Sequence, residues 1–195
     1  PNAVNAVEFA AEIVLFIRAR AKLLQRDGPF EDGFDPPHST VHTGVIHGGT
    51  QLNIIPEHCS FQFEIRYLPF EDHAGFVVDV HRFAEDELLP EMRSIFEDAD
   101  ITFSELSGFP GLTTPEDADV TQVCSHLAAT NETAKVSFGT EAGLYSASGI
   151  PTVVCGPGSV EQAHKPNEFI ELDQVAKCDA FMDRLKDRIC RRSPG

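Results

Sequence analysis

Apolar residues near the start of the chain recur at the spacing of a helix. Asn2 or Asn5 can cap a helix that runs to about Gln25. One stripe of apolar side chains, at intervals of three and four residues, is predicted to face the core: Val7, Ala10, Val14, Ile17, Ala21 and Leu24. Three more lie well off this stripe: Phe9, Ile13 and Phe16. The helix is therefore apolar on a second side, which either a partner subunit or the same small domain could cover.

Two segments then alternate between apolar and polar residues, as half-buried strands do. The first runs from Ser39 to Ile46, and Gly48-Gly49 turns the chain after it. The second, from His58 to Tyr67, gives the clearest alternation in the sequence. One side of this second strand is apolar throughout: Cys59, Phe61, Phe63 and Ile65.

A helix over residues 71–89 and a strand near residues 100–107 complete the first half of the chain. The helix is predicted to bury one face: Ala74, Val77, Val78, His81, Ala84, Leu88 and Leu89. The order helix, strand, strand, helix, strand predicts a ferredoxin-like antiparallel sheet with two helices on one face. Its first strand is expected upstream of Pro1.

Prolines and glycines between residues 109 and 115 mark a domain boundary near Leu112. We predict a first domain over residues 1–112 and a second over residues 113–195. The second alternates short buried strands with helices, as an α/β layer does: strands over 135–138 and 151–155, helices over 116–129 and 172–189. The predicted fold class is therefore α+β.

The net charge of the chain limits the classes of molecule that it is expected to bind. A net charge of -16, from 31 acidic and 15 basic residues, repels phosphate groups, which argues against nucleic acids and anionic membranes as partners. The most apolar stretch, residues 10–17, is far shorter than the ~20 residues that cross a bilayer. The odd number of scattered cysteines predicts free thiols in the cytoplasm: Cys59, Cys124, Cys155, Cys178 and Cys190.

Residues 156–168 are rich in turn formers and follow an apolar segment, a position where sheets present functional loops. His164 lies in this loop, and a neutral imidazole is a common zinc ligand. One histidine cannot hold the ion, and no H-x-D spacing in the chain supplies companions. A histidine that caps the turn or the following helix is the alternative.

The same loop carries a resemblance to a known family. Residues 156–159 and 162–168 resemble the C-terminal signature of the acetylornithine deacetylases, a branch of the M20 family of dinuclear zinc hydrolases. Further stretches resemble the same enzymes in the same order: residues 34–41, 44–49, 52–56, 63–66 and 138–143. The resemblance covers essentially the whole chain.

The resemblance implies a cytoplasmic homodimer in arginine biosynthesis that hydrolyses N-acetylornithine, a small N-acyl amino acid, to ornithine and acetate. It also implies that residues 1–112 are the lid and dimerisation domain, and residues 113–195 the last part of the catalytic domain. His164 would bind one of two zinc ions, for which cobalt could substitute. The other ligands and the catalytic glutamate would precede Pro1, so this chain alone is expected to hold no catalytic residue and to be inactive.

The resemblance further implies a set of substrate-binding residues. Arg66 can bind a carboxylate through two parallel hydrogen bonds, whereas an ion pair with Glu64 is its alternative. Asn53 lies in a turn, where its side chain could instead bind the local backbone. Gly139 and Thr140 could present an amide and a hydroxyl to a carboxylate or oxyanion, or form a plain turn that Thr140 caps. Glu141 could meet the substrate amine, or simply favour a helix start.

Two other hypotheses remain open at this point. The chain could be a dimerisation or interaction module without activity. It could also belong to an M20 enzyme that acts on another N-acyl amino acid, such as succinyl-diaminopimelate.

Overall fold

A two-stranded antiparallel sheet with helices against one face forms the first part of the chain. The computed structural model describes residues 3–163 and 165–190. The chain divides into two units, Pro1–Gly111 and Leu112–Gly195, which we call unit 1 and unit 2. The mixture of helices with an antiparallel sheet confirms the predicted α+β class.

Helix α1, Ala6–Asp27, begins where the sequence provides a cap. The Asn5 side chain accepts hydrogen bonds from the backbone N–H groups of Val7, at 3.1 Å, and Glu8, at 3.3 Å. These bonds satisfy two of the amides that every helix start leaves without a helical partner.

The buried face of α1 includes part of the predicted stripe and extends beyond it. Its buried residues are Phe9, Ala10, Ile13 and Ile17, and Phe16 stacks on Phe83 with 4.4 Å between ring centroids. Val14, which the stripe placed inwards, is only half-buried. Ala10 and Ile17 are thus buried as the stripe predicted, and Phe9 and Ile13, from the second apolar side, are buried with them. Unit 1 itself therefore covers the second apolar side of α1.

Strands β1, Thr40–Gly48, and β2, Cys59–Arg66, form the sheet. They pair antiparallel, from Thr40 opposite Arg66 to Gly48 opposite Cys59, with an irregularity between Thr43 and Val45. The alternation predicted for β2 is confirmed, since odd-numbered side chains pack inwards and even-numbered ones are exposed.

A long helical segment packs beside α1. It consists of α2, His73–Arg82, a π-helix, Phe83–Leu88, and α3, Leu89–Ile95. Its buried residues follow at intervals of four: Phe76, Val80, Ala84, Leu88 and Met92. In an α-helix each step of four residues overshoots a full turn by about 40°. The wider π-helix turns less per residue, so it brings this row back towards the core.

The face predicted for this helix is therefore partly wrong. Ala84 and Leu88 are buried as predicted. Val77, Val78 and His81 instead border an open hollow of about 390 Å³. The prediction assumed an uninterrupted 3.6-residue period, which the π-helix breaks.

Three predicted strands do not form in the part of the chain that the structure describes: residues 100–107, 135–138 and 151–155. A strand needs a neighbouring strand to bond with, and a sequence pattern does not supply that partner. The first segment still packs as its pattern indicates, because Ile101 and Phe103 lie against the core of unit 1.

Unit 2 contains α4, Asp119–Ala128, α5, Ala142–Ala147, a short 3₁₀-helix, Val160–Gln162, and α6, Leu172–Cys190. Helices α4 and α6 contact each other, and Arg184 Nε donates a 2.7 Å hydrogen bond to the Leu127 carbonyl. Leu127 is the one buried apolar side chain among the described residues of this unit. Unit 2 therefore has little core of its own.

Within residues 3–163 and 165–190, none of the helices combines the length and the apolar character that crossing a bilayer requires.

Candidate substrate-binding site

The outer face of the sheet presents Arg66 to solvent. Arg66 Nε donates a 2.8 Å hydrogen bond to Glu64 Oε1, and the two side chains are 58% and 49% exposed. His42 lies opposite Glu64 in the strand register, with Nδ1 3.8 Å from the same oxygen. The ion pair foreseen as the alternative role of Arg66 is therefore present.

This ion pair leaves Arg66 able to exchange partners. A pair at such exposure contributes only about 0–1 kcal/mol, because water screens it. A carboxylate that arrived with both oxygens aligned to the guanidinium could form two parallel hydrogen bonds. Loss of the Glu64 ion pair by itself would therefore cost little.

Asn53 lies in the loop between β1 and β2. Its side chain is exposed, beside a hollow of about 440 Å³ that the start of α1 and residues 51–56 border. The Ala6 backbone N–H donates a 3.0 Å hydrogen bond to the Pro56 carbonyl, which fastens the loop to α1. Three apolar side chains in this loop are exposed: Leu52, Ile54 and Ile55.

The sheet places Asn53 and Arg66 far apart within one copy of unit 1. Asn53 precedes β2, and Arg66 is the last of its eight residues. At about 3.3 Å per residue the two ends of this strand are roughly 23 Å apart. A molecule the size of a single amino-acid derivative is much shorter than that distance. The structure therefore does not bring these two candidates to one place.

Gly139, Thr140 and Glu141 lie together at the start of α5 in unit 2. Thr140 Oγ1 accepts a 3.1 Å hydrogen bond from the Ala142 N–H, which is the capping role foreseen as its alternative. The hydroxyl proton of Thr140 can still be donated to another acceptor. Glu141 is exposed, and its carbonyl accepts a 2.9 Å bond from the Leu144 N–H.

His164, the candidate zinc ligand, lies outside the described residues. The loop before it is held locally, since Ser159 Oγ accepts a 3.2 Å hydrogen bond from the Glu161 N–H. Among the residues that the structure describes, no group of three or more histidine, cysteine or acidic side chains could hold a metal ion. These described side chains by themselves do not fit a zinc site.

One electrostatic feature was not expected from the sequence. Cys124, on α4, is half-buried. Burial, together with a smaller contribution from Cys155, raises the pKa of Cys124 to about 11. Cys155 lies 31 positions further along the chain and shares no motif with Cys124, so this contribution depends on the folded backbone.

Comparison with known proteins identifies the first unit. Residues 1–92 match the peptidase dimerisation domain of the M20 family. Residues 1–92 belong to this family. The match includes α1, both strands and α2, which are the elements that enclose the core of unit 1.

The similarity to the M20 family extends beyond this domain. The chain is 34% identical to an acetylornithine deacetylase from Klebsiella pneumoniae strain 342, over 96% of this chain and 47% of that relative. It is 31% identical to one from Myxococcus xanthus, over 82% of this chain and 40% of the relative. The resemblance indicated by the sequence motifs is therefore confirmed, and the chain spans less than half the length of these relatives.

A solved structure shares the fold. The aminopeptidase PepT from Bacillus cereus ATCC 10987 superposes with a TM-score of 0.51 and 22% sequence identity, over 86% of this chain and 43% of that one. At this identity the likeness concerns the arrangement of helices and strands.

Proposed function

We propose that the chain is the lid domain and C-terminal part of an M20 hydrolase that cleaves N-acetylornithine to ornithine and acetate. The supporting observation is the extent of the similarity. The identity of 34% to a deacetylase runs over 96% of the chain and so includes both units. The proposal includes arginine biosynthesis as the pathway and the cytoplasm as the location.

In this proposal residues 1–112 associate with a second copy, and residues 113–195 complete a catalytic domain. The match of residues 1–92 to a dimerisation domain supports the first role. The second role is supported by the composition of the unit 2 surface, because α6 exposes several large apolar side chains: Leu172, Met182 and Ile189. Exposed apolar side chains of this size suit a surface that another segment covers.

Arg66 is the residue that we assign to the substrate carboxylate. Its side chain is exposed, and the ion pair that it forms with Glu64 is a weak one, which an incoming carboxylate can replace. We assign Asn53 to a different binding position, because the length of β2 separates it from Arg66.

We also assign substrate binding to three residues of unit 2: Gly139, Thr140 and Glu141. The Thr140 hydroxyl can donate a proton to a carboxylate or oxyanion, and the exposed Glu141 carboxylate can pair with a cationic amine. His164 is assigned to zinc, which when bound polarises the amide carbonyl. Its remaining ligands would come from other segments, so the described residues contribute binding and orientation.

A chimera tests the proposal. The Klebsiella pneumoniae relative has an N-terminal portion that does not align with this chain. We fuse that portion to the N-terminus of the chain and measure the release of ornithine from N-acetylornithine. We expect turnover by the chimera and none by the chain alone. Turnover of succinyl-diaminopimelate alone would reassign the substrate, and a folded chimera without activity on either compound would contradict the proposal.

Substitution of Arg66 in the active chimera tests its role. Arg66→Ala should lower kcat/KM by about 10- to 100-fold, since a hydrogen bond to a charged group contributes about 1.5–3 kcal/mol. The loss should appear mainly in KM, because a carboxylate remote from the reacting amide is bound before and during the reaction. Arg18→Ala, which removes an exposed guanidinium of α1, serves as the matched control. Equal kinetics for both variants would remove Arg66 from the site.

A second candidate function is dimerisation without activity. It is favoured by the distribution of the core, since all buried apolar side chains among the described residues except Leu127 lie in unit 1. Sedimentation of the chain should show a dimer under either function. A dimer combined with an inactive chimera would favour this second function, whereas a monomer at high concentration would contradict it.

A further inference from the structure

Two oppositely charged side chains lie side by side on the outer face of the sheet. Glu64 and Arg66 are two positions apart on β2, so both point away from the core of unit 1. Their positions along the strand are about 6.6 Å apart. Both side chains are exposed. The outer face thus presents a carboxylate and a guanidinium at a short spacing that the strand fixes.

The Glu64 carboxylate keeps one oxygen available for a ligand. Arg66 Nε donates its 2.8 Å hydrogen bond to Oε1, and His42 Nδ1 lies 3.8 Å from the same oxygen. No described residue donates a hydrogen bond to the other oxygen, Oε2. An exposed carboxylate oxygen of this kind can accept a hydrogen bond from a cationic group.

We propose that Glu64 binds the side-chain ammonium group of N-acetylornithine while Arg66 binds its carboxylate, so that Glu64 selects N-acyl amino acids with a cationic side chain. This inference rests on the proposed function. N-acetylornithine has a carboxylate at one end of a short flexible chain and an ammonium group at the other end. Such a molecule can lie along β2 with each of its charged groups beside a side chain of opposite charge.

The balance of charges explains the selection. A substrate carboxylate that replaced Glu64 on the guanidinium would leave the Glu64 carboxylate beside another anion, and like charges repel. An ammonium group on the same substrate gives Glu64 a new partner, so both side chains then form charge-assisted hydrogen bonds. A substrate with an uncharged side chain supplies no such partner. The pair therefore favours a substrate that carries both charges.

The substrate preference of the active chimera tests the inference. N-acetylnorvaline is the matched compound, because it has the carbon chain of N-acetylornithine without the side-chain amine. Glu64→Gln should lower kcat/KM for N-acetylornithine by about tenfold, the loss expected for a hydrogen bond between charged groups, and leave it within about twofold for N-acetylnorvaline. Glu12→Gln, which removes an exposed carboxylate of α1, should change neither value.

Two results in an active chimera would overturn the inference and leave the proposed function standing. Equal losses on both substrates would mean that Glu64 acts only by positioning Arg66. A changed preference in Glu141→Gln, without one in Glu64→Gln, would assign the ammonium group to Glu141 in unit 2.

Binding to the chain alone gives a readout that needs no turnover. In NMR titrations N-acetylornithine should shift the backbone amide signals near Arg66 more than N-acetylnorvaline does, and Glu64→Gln should abolish this difference. Equal shifts with the two compounds, or no shift in β2 with either of them, would overturn the inference even if the chimera is active.

Discussion

Arg66 combines an ion pair with the substrate-binding role that we propose for it. Its guanidinium lies 2.8 Å from the Glu64 carboxylate, yet more than half of the side chain is exposed. An exposed pair of this kind contributes little to stability. In the proposed role, a substrate carboxylate would replace Glu64 as the partner of the guanidinium.

Cys124 makes the free energy of unfolding decrease as the pH rises in the alkaline range. Its pKa is about 11 in the folded chain, against an ordinary value of 9.0. The folded state therefore retains the proton over a range in which the unfolded state loses it. This contribution to stability is fully present below pH 9 and is lost as the pH rises towards 11. Urea midpoints measured between pH 8 and pH 11 should fall more steeply in the unaltered chain than in Cys124→Ser, and identical slopes would contradict this assignment.

The interaction partners of individual side chains were predictable only where residues close in sequence determine them. Both alternatives for Arg66 and for Thr140 could be stated from the sequence, and the structure shows the ion pair and the cap. The contribution of Cys155 to the raised pKa of Cys124 could not be stated, since the two residues lie in segments distant in sequence. The same holds for His42, which reaches Glu64 only through the register of the strands.

At the scale of elements, α1 offers a direct test of which side chains form the core. Ile17 is 1% exposed and Leu15, two residues before it, is 58% exposed. Ile17→Ala should lower the free energy of unfolding by about 2–5 kcal/mol, because it leaves a cavity. Leu15→Ala, the control of similar chemistry, should change it by less than about 0.5 kcal/mol. Chemical denaturation measures both, and equal losses would mean that α1 buries a different face.

Helices and strands were predictable where neighbouring residues provide a helix cap or a regular alternation of apolar and polar side chains. The Asn5 cap and the alternation over β2 depend on neighbouring residues, and both are found as predicted. The three strands that did not form needed a partner from elsewhere. The buried face of residues 73–95 was partly missed, because its buried side chains recur at every fourth residue. The prediction used the 3.6-residue period of an α-helix, which does not keep such a row on one face.

At the scale of the whole molecule, the two units differ in how much apolar surface they bury. Among the described residues unit 1 contains nearly the entire core, and unit 2 contributes Leu127. In hydrogen exchange on the whole chain, amides of α4 and α6 should exchange at least about tenfold faster than those of α1 and α2, because local opening exposes little apolar surface there. Fusion in the chimera should slow exchange in α4 and α6. Equal protection of all four helices in the chain alone would contradict this expectation.

The π-helix at residues 83–88 has a consequence for where single residues can be inserted or deleted in evolution. Removing one exposed residue there, such as Asp86, would restore ordinary helical winding and leave Leu88 and Met92 directed at the same neighbours. The intervals between inward-facing residues would become four, four, three and four. A deletion elsewhere in the helix would swing everything beyond it by about 100°. Single-residue gaps among related chains should therefore gather at this one position.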